Sequence, residues 1–185
     1  MAHHTGKNSK HGITTRLAHA GRNPDEQFGF VNTPIYRGST VLYPTVDAIN
    51  KREQRYNYGT KGTPTSDALN TAWADISGAA GSVAVPSGLA AVALSLLTTT
   101  KAGDHVLITD SVYRPTRVFA QDFLLRFGVT VSYFDPMIGS GIASLFKDNT
   151  STVFTESPGS QSFEVQDVPG TSDRKSTRLN SSHGY

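Results

Sequence analysis

Apolar and polar positions alternate along this chain in a way that changes character near residue 66. Upstream, residues 13–44 are crowded with turn formers (Gly21, Asn23-Pro24, Gly29, Pro34, Gly38 and Pro44), and the pattern predicts an extended arm rather than a packed helix. Thr45 is placed to cap a short helix over 46–55, and a polar Gly/Thr/Pro loop runs from Tyr56 to Thr65. From Ser66 the spacing becomes regular. Ala68, Leu69, Ala72, Trp73 and Ile76 recur at helical intervals, and Gly78 marks a stop. Ser82–Val85 reads as a short buried strand, followed by a tight Pro86-Ser87-Gly88 turn and an apolar helix over 89–97. Further strands are predicted at 105–109, 130–134 and 152–155. Between them lie helices at 114–127, with Val118, Phe119, Phe123, Leu124 and Phe127 on its inner side, and at 138–146. The order β-α-β-α-β-α-β argues for an α/β layer with a largely parallel sheet.

Composition narrows the chemistry. The 185 residues carry no cysteine, which excludes a disulfide framework, a thiolate metal site and a thiol nucleophile. His3 and His4 lack a third ligand, so no metal is expected. No apolar run approaches the ~18 residues needed to span a bilayer, and the polar N-terminus has no secretory signal. A cytoplasmic protein without membrane contact is the expectation. The formal charge of +2 arises in residues 173–185, which hold three basic residues and one acidic; the rest carries fourteen of each. No basic stripe marks a nucleic-acid surface. The string Asp173–His183 has no apolar period and resembles the in-frame translation of a short-read sequencing adapter, all eleven codons matching. Residues 173–185 are therefore expected to be non-native, and the natural chain to continue past Ser172.

In an open α/β sheet, ligands bind beyond the carboxyl ends of the strands. Three segments fall there. Pro86-Ser87-Gly88-Leu89 joins a strand to a helix N-terminus, where free N–H groups and the helix dipole suit a phosphate; simple helix capping explains the same residues. Tyr113, after the strand 105–109, can stack on a planar ligand, move a proton, or only close the sheet end. Glu156-Ser157-Pro158-Gly159-Ser160, after the last strand, is either a site wall or a turn.

Taken in order, these segments resemble the Cys/Met-metabolism family of pyridoxal-phosphate (PLP) enzymes. The resemblance is carried by residues 15–22, by 31–41, by Tyr58 with Gly62-Thr63-Pro64-Thr65, by 86–91, by Ala102-Gly103-Asp104-His105-Val106, by Tyr113 and by 156–160. It implies the N-terminal part of the large α/β domain of fold type I PLP-dependent transferases: an arm and loop over 1–65 and a partial PLP-binding domain over 66–172. It further implies that the amides of Gly88 and Leu89 hold the cofactor phosphate. Tyr113 would stack on the pyridine ring and transfer a proton, and Tyr58 would reach the phosphate of the neighbouring subunit in a homo-oligomer built from dimers. Where many relatives have Arg two residues after that Tyr, this chain has Thr60, with Lys61 beside it. The lysine that carries the cofactor, the Asp that faces the pyridine nitrogen and the Arg that binds the substrate carboxylate lie later in the family's chain. Lys101 and Lys147 match none of them and read as surface lysines. The 185 residues alone are thus expected to be inactive. The function implied is carbon–sulfur lyase activity on cystathionine by β-elimination, giving homocysteine, pyruvate and ammonia. Gly159-Ser160-Gln161 stands where many γ-class relatives have Thr-Asn-Pro. The alternatives are γ-synthase or γ-lyase chemistry in the same family, or a non-catalytic anion-binding module.

Overall fold

The structure is a computed structural model that describes residues 11–172; His3, His4 and the adapter-like 173–185 lie outside the described residues. The chain divides into two compact units, one ending at Ala84 and one beginning at Val85.

In the first unit the expected arm is not extended throughout. Ile13–His19 forms helix α1, and Pro24–Gln27 a 3-10 turn that ends on Phe28 in the left-handed region. The reason for α1 is its packing on helix α3 (Pro64–Ser77), where the Arg16 guanidinium pairs with the Asp75 carboxylate at 3.1 Å. From Gly29 to Tyr43 the backbone carries no regular element apart from one antiparallel bridge, Thr40 to Tyr58. Thr45 caps helix α2 as expected, accepting from the Ala48 amide, but α2 covers only Val46–Lys51 because Arg52 turns left-handed. Helix α3 begins on a reciprocal Thr63/Ser66 capping box with Pro64 in its first turn, and ends at Gly78 with φ 69°. The strand expected at 82–85 does not form. Val83 is 75% exposed, and this segment pairs with no strand among the described residues. Apolar alternation suits a segment to a ladder, but a ladder also needs a neighbour to take its N–H and C=O groups.

The second unit is the α/β layer. Helix α4 (Gly88–Thr99) leads to β1 (His105–Thr109), helix α5 (Arg114–Val118), β2 (Thr130–Phe134) and β3 (Thr150–Phe154). A short helix, α6 (Val168–Ser172), closes the described chain. The sheet order is β2-β1-β3, all parallel, with His105 to Thr109 in register with Thr130 to Phe134. The β1–β3 register shifts once, between His105 and Val106. Every residue of the central strand β1 is buried, as a continuous apolar run demands. Val106 and Ile108 face Leu96, Val112, Ala120, Leu124 and Val129, whereas Leu107 faces Phe134 and Ile142 on the opposite side. Ile142 comes from the 3-10 helix Gly139–Leu145, in place of the α-helix expected at 138–146.

After α5 the chain continues as one π turn, Phe119–Phe123, and a 3-10 turn, Leu124–Phe127, that stops at Gly128. The inner face agrees with the expected one at Leu124 and Phe119 and departs from it at Val118, Phe123 and Phe127. Thr116, Ala120 and Leu124 are buried, whereas Val118, Phe123 and Phe127 are largely exposed. Ala120 and Leu124 join the core around Val106 and Ile108. The wide π turn shifts the helical phase of the residues after it. Phe119, packed against the core, stacks on Phe123 with centroids 4.9 Å apart, and Phe123 meets Phe127 in a tilted contact at 4.8 Å.

His105 is a buried polar residue at the amino end of β1. It is fully buried between the neighbouring strands, with Nδ1 2.8 Å from Thr150 Oγ1 and Nε2 2.9 Å from Ser132 Oγ. Lys147 closes the ring: its Nζ donates to Ser132 and its backbone amide to Thr150. Burial first, and the Lys147 charge second, lower the His105 pKa.

Candidate functional site

Within the second unit, the carboxyl ends of β1 and β3 and the start of α4 bear the candidate residues. Ser87 caps α4: its hydroxyl accepts from the Ala90 amide at 3.1 Å and its carbonyl from Ala91 at 3.0 Å. Those two bonds leave the amides of Gly88 and Leu89 without a partner among the described residues. They stand at the positive end of a 12-residue helix. A Cβ placed on Gly88 would meet nothing within 4 Å, so no side chain or neighbouring segment crowds that residue on its Cβ side. A free pair of N–H groups at a helix start is suited to an anion.

Tyr113 lies in the loop between β1 and α5, with 52% of its surface exposed. Its loop is held from three sides. The Arg117 guanidinium pairs with the Asp110 carboxylate and carbonyl, and lies 3.9 Å over the Tyr133 ring. The Ser160 amide donates to the Ser111 carbonyl at 2.8 Å. The Tyr113 amide donates to Glu156 Oε2 at 3.2 Å. The segment after β3 is therefore more than a turn, since it forms the wall against which the Tyr113 loop is fixed. Gly159 is required there, because a Cβ would sit 2.7 Å from the Ser111 side chain. Gln161 and Phe163 complete the bend at φ 70° and 62°, a region uncommon for residues other than glycine.

Gln166 was not legible as a site residue. It is buried, and its Nε2 donates to Thr109 Oγ1 at 3.0 Å and to the Glu156 carbonyl at 2.6 Å. Its Oε1 is sealed from solvent without a partner. A polar depression of about 450 Å³, lined by Lys101, Asp104, Asp148 and Thr150, lies at the amino ends of the strands, away from these residues.

Tyr58 belongs to the first unit. It opens the 3-10 turn Gly59–Lys61 that carries Thr60 and Lys61, and 45% of its surface is exposed. Gly59 allows the close approach to residue 38, since a Cβ there would overlap the Gly38 carbonyl. Upstream, Asp67 of α3 anchors the loop by accepting from Arg55 at 2.7 Å and from the Tyr56 hydroxyl at 2.9 Å. Burial and the Asp67 contact push the Tyr56 phenol up to about 12.

The model of the Cys/Met metabolism PLP-dependent enzymes matches residues 14–177. The chain belongs to that family. A Saccharomyces cerevisiae protein, provisionally named cystathionine beta-lyase, is 52% identical over 161 residues, which is 87% of this chain and 47% of its own. The cystathionine beta-lyase MetC of Escherichia coli is 41% identical over 162 residues, 85% of this chain and 41% of its own. Among solved structures, metB from Corynebacterium glutamicum superposes with a TM-score of 0.79 at 28% identity, covering 87% of this chain and 41% of that one. The chain thus spans less than half the length of the relatives it matches, and corresponds to the N-terminal part of the fold. The family is PLP-dependent. The amides at Gly88 and Leu89, without a partner among the described residues at the start of α4, fit the phosphate end of that cofactor.

Proposed function

We propose that the complete protein is a PLP-dependent carbon–sulfur lyase that cleaves cystathionine by β-elimination to homocysteine, pyruvate and ammonia. The observation that carries the reading is the 41% identity with the E. coli relative of that name. In this reading the Gly88 and Leu89 amides bind the cofactor phosphate and orient the rest of the ring. PLP, when bound, supplies the electron sink for negative charge developing at the substrate α-carbon. The Tyr113 ring face covers one side of the pyridine, and its Oη holds or moves a proton at the substrate. Tyr58 supplies a hydroxyl to the phosphate in the neighbouring subunit of a homo-oligomer, with Lys61 offering a point charge where an Arg fork stands in many relatives. The apolar side chains left exposed in the first unit, Phe28, Ile35 and Leu42 among them, support such a neighbour. The reading assigns no role to nucleic acid or membrane. It places the protein in the cytoplasm.

The experiment is to complete the gene, express it and supply cystathionine. Homocysteine with pyruvate in equal amounts is the expected result. Cysteine with 2-oxobutyrate, or condensation of cysteine with an activated homoserine, refutes it.

A further inference from the structure

We propose that Glu156 and Gln166 are positioning residues that set the Tyr113 ring through its backbone; the inference rests on the role given to Tyr113 above. Tyr113 lies just beyond the end of β1, and Glu156 just beyond the end of β3. A turn after each strand would satisfy its own backbone without the other. Here the two turns are joined by a carboxylate, with Glu156 Oε2 accepting from the Tyr113 amide at 3.2 Å. That bond runs from one turn to a side chain of the other, so it ties the two together where a bond within either turn would not. The amide it holds is one bond from the Tyr113 Cα, so it fixes where the ring can reach.

Glu156 is itself held from below. Gln166 Nε2 spans Thr109 Oγ1, at the last residue of β1, and the Glu156 carbonyl, at 3.0 and 2.6 Å. The Gln166 amide is in turn placed on Ser157, donating to its Oγ at 2.9 Å. In this arrangement Gln166 leaves its own Oε1 sealed and unpaired. Buried polar atoms are almost always satisfied, and an apolar side chain of the same size would avoid the cost. The two donated bonds both run between the ends of adjacent strands, which is what a clamp on the Tyr113 loop needs and what a stable core does not. The arrangement makes Tyr113 preorganised: its ring need not be drawn into place when the ligand arrives.

Hydrogen exchange of the Tyr113 amide tests the clamp in the complete protein, with β1 amides as the control for intact fold. E156A should speed Tyr113 exchange about ten- to a hundredfold, and Q166M, which keeps the bulk and removes both donors, should speed it several-fold. E156Q retains an acceptor oxygen and should stay within about threefold of the parent. On the substrate that the complete protein turns over, E156A should lower kcat about tenfold and leave KM within about twofold, and E156Q should restore it. Unchanged exchange in E156A and Q166M overturns the proposal, as does E156Q rising as far as E156A. Should E156A fail to fold, Q166M and E156Q decide alone. The exchange comparison does not depend on the substrate, so failure to cleave cystathionine would sink the proposed reaction and leave the clamp to be judged by exchange.

Discussion

Lowering the pH from 7.5 to 5.5 should destabilise this protein through one buried side chain. His105 sits at the amino end of the central strand, fully buried, between Thr150 Oγ1 at 2.8 Å and Ser132 Oγ at 2.9 Å. Its folded pKa lies below the ordinary value of 6.5, by burial first and by the Lys147 charge second. The unfolded chain therefore takes up a proton before the folded one does. Well above pH 6.5 neither form is protonated and the histidine makes no pH-dependent contribution. As the pH falls through 6.5 the unfolded state gains the proton alone, and stability drops until the folded pKa is passed. If the folded ring stays neutral throughout, the loss between pH 7.5 and 5.5 is about 1.4 kcal/mol, an upper limit for one site. The assay is urea unfolding of the complete protein at fixed concentration across that range, for the parent and for H105L. The variant removes a ring that bonds two hydroxyls; Thr150 and Ser132 each keep a Lys147 donor, so they are not orphaned. H105L should be less stable at pH 7.5 by about 1–3 kcal/mol, and its stability should fall less on acidification than the parent's, by up to the same ~1.4 kcal/mol. Equal pH dependence in the two proteins refutes the assignment of a neutral, unprotonated His105.

Three other substitutions probe the phosphate turn, the Tyr58 segment and the core. G88A adds a Cβ to open space, so stability should move by no more than about 0.5 kcal/mol, while PLP affinity of the complete protein, read by titration, falls at least about tenfold if the amides are approached closely. G59A forces a Cβ onto the Gly38 carbonyl; it should cost about 2 kcal/mol or more, seen as a lower Tm, and should free the segment that carries Tyr58. L96A empties a fully buried site in the helix–sheet core and should cost about 2–5 kcal/mol in urea unfolding.

The parts of the fold that could be read in advance are those whose residues act on near neighbours. Thr45 caps its helix and Gly78 ends one by local hydrogen bonding and local backbone freedom, and both do so where the sequence places them. The strands 105–109 and 130–134 were legible to the residue because a buried central strand and its partner carry runs of apolar and β-branched side chains. Residues 82–85 have the same signature and no ladder. No strand among the described residues pairs with them, and side-chain pattern says nothing of whether a neighbour exists. The helix after Tyr113 fails differently. Hydrophobicity found Leu124 and Phe119 but also singled out Phe123 and Phe127, while the buried positions include Thr116 and Ala120, which are only weakly apolar. A 3.6-residue period also cannot foresee a π turn that inserts itself at Phe119–Phe123.

The site shows the same division between local and distant. Gly88 and Leu89 were legible because a tight turn and a helix start succeed one another within a few residues, and the free amides result from that order alone. Tyr113 was legible as a ring at a strand end, but the groups that fix it were not. Arg117 reaches back seven residues to Asp110, a span that crosses a loop and a helix start. Glu156 reaches back 43 residues to Tyr113, and Gln166 reaches 57 to Thr109. No periodicity in Phe163-Glu164-Val165-Gln166 marks the last of these as different from any polar residue in an exposed stretch. The signal is only in three dimensions: β3 is laid parallel beside β1, so the turns after them arrive together at one sheet edge. A parallel sheet thereby makes neighbours of segments that the chain keeps far apart. Groups that act on a ligand can be spaced locally and found by motif, whereas groups that hold them steady are drawn from whichever strand the topology places next. It is for this reason that the clamp on Tyr113, rather than Tyr113 itself, had to come from the structure.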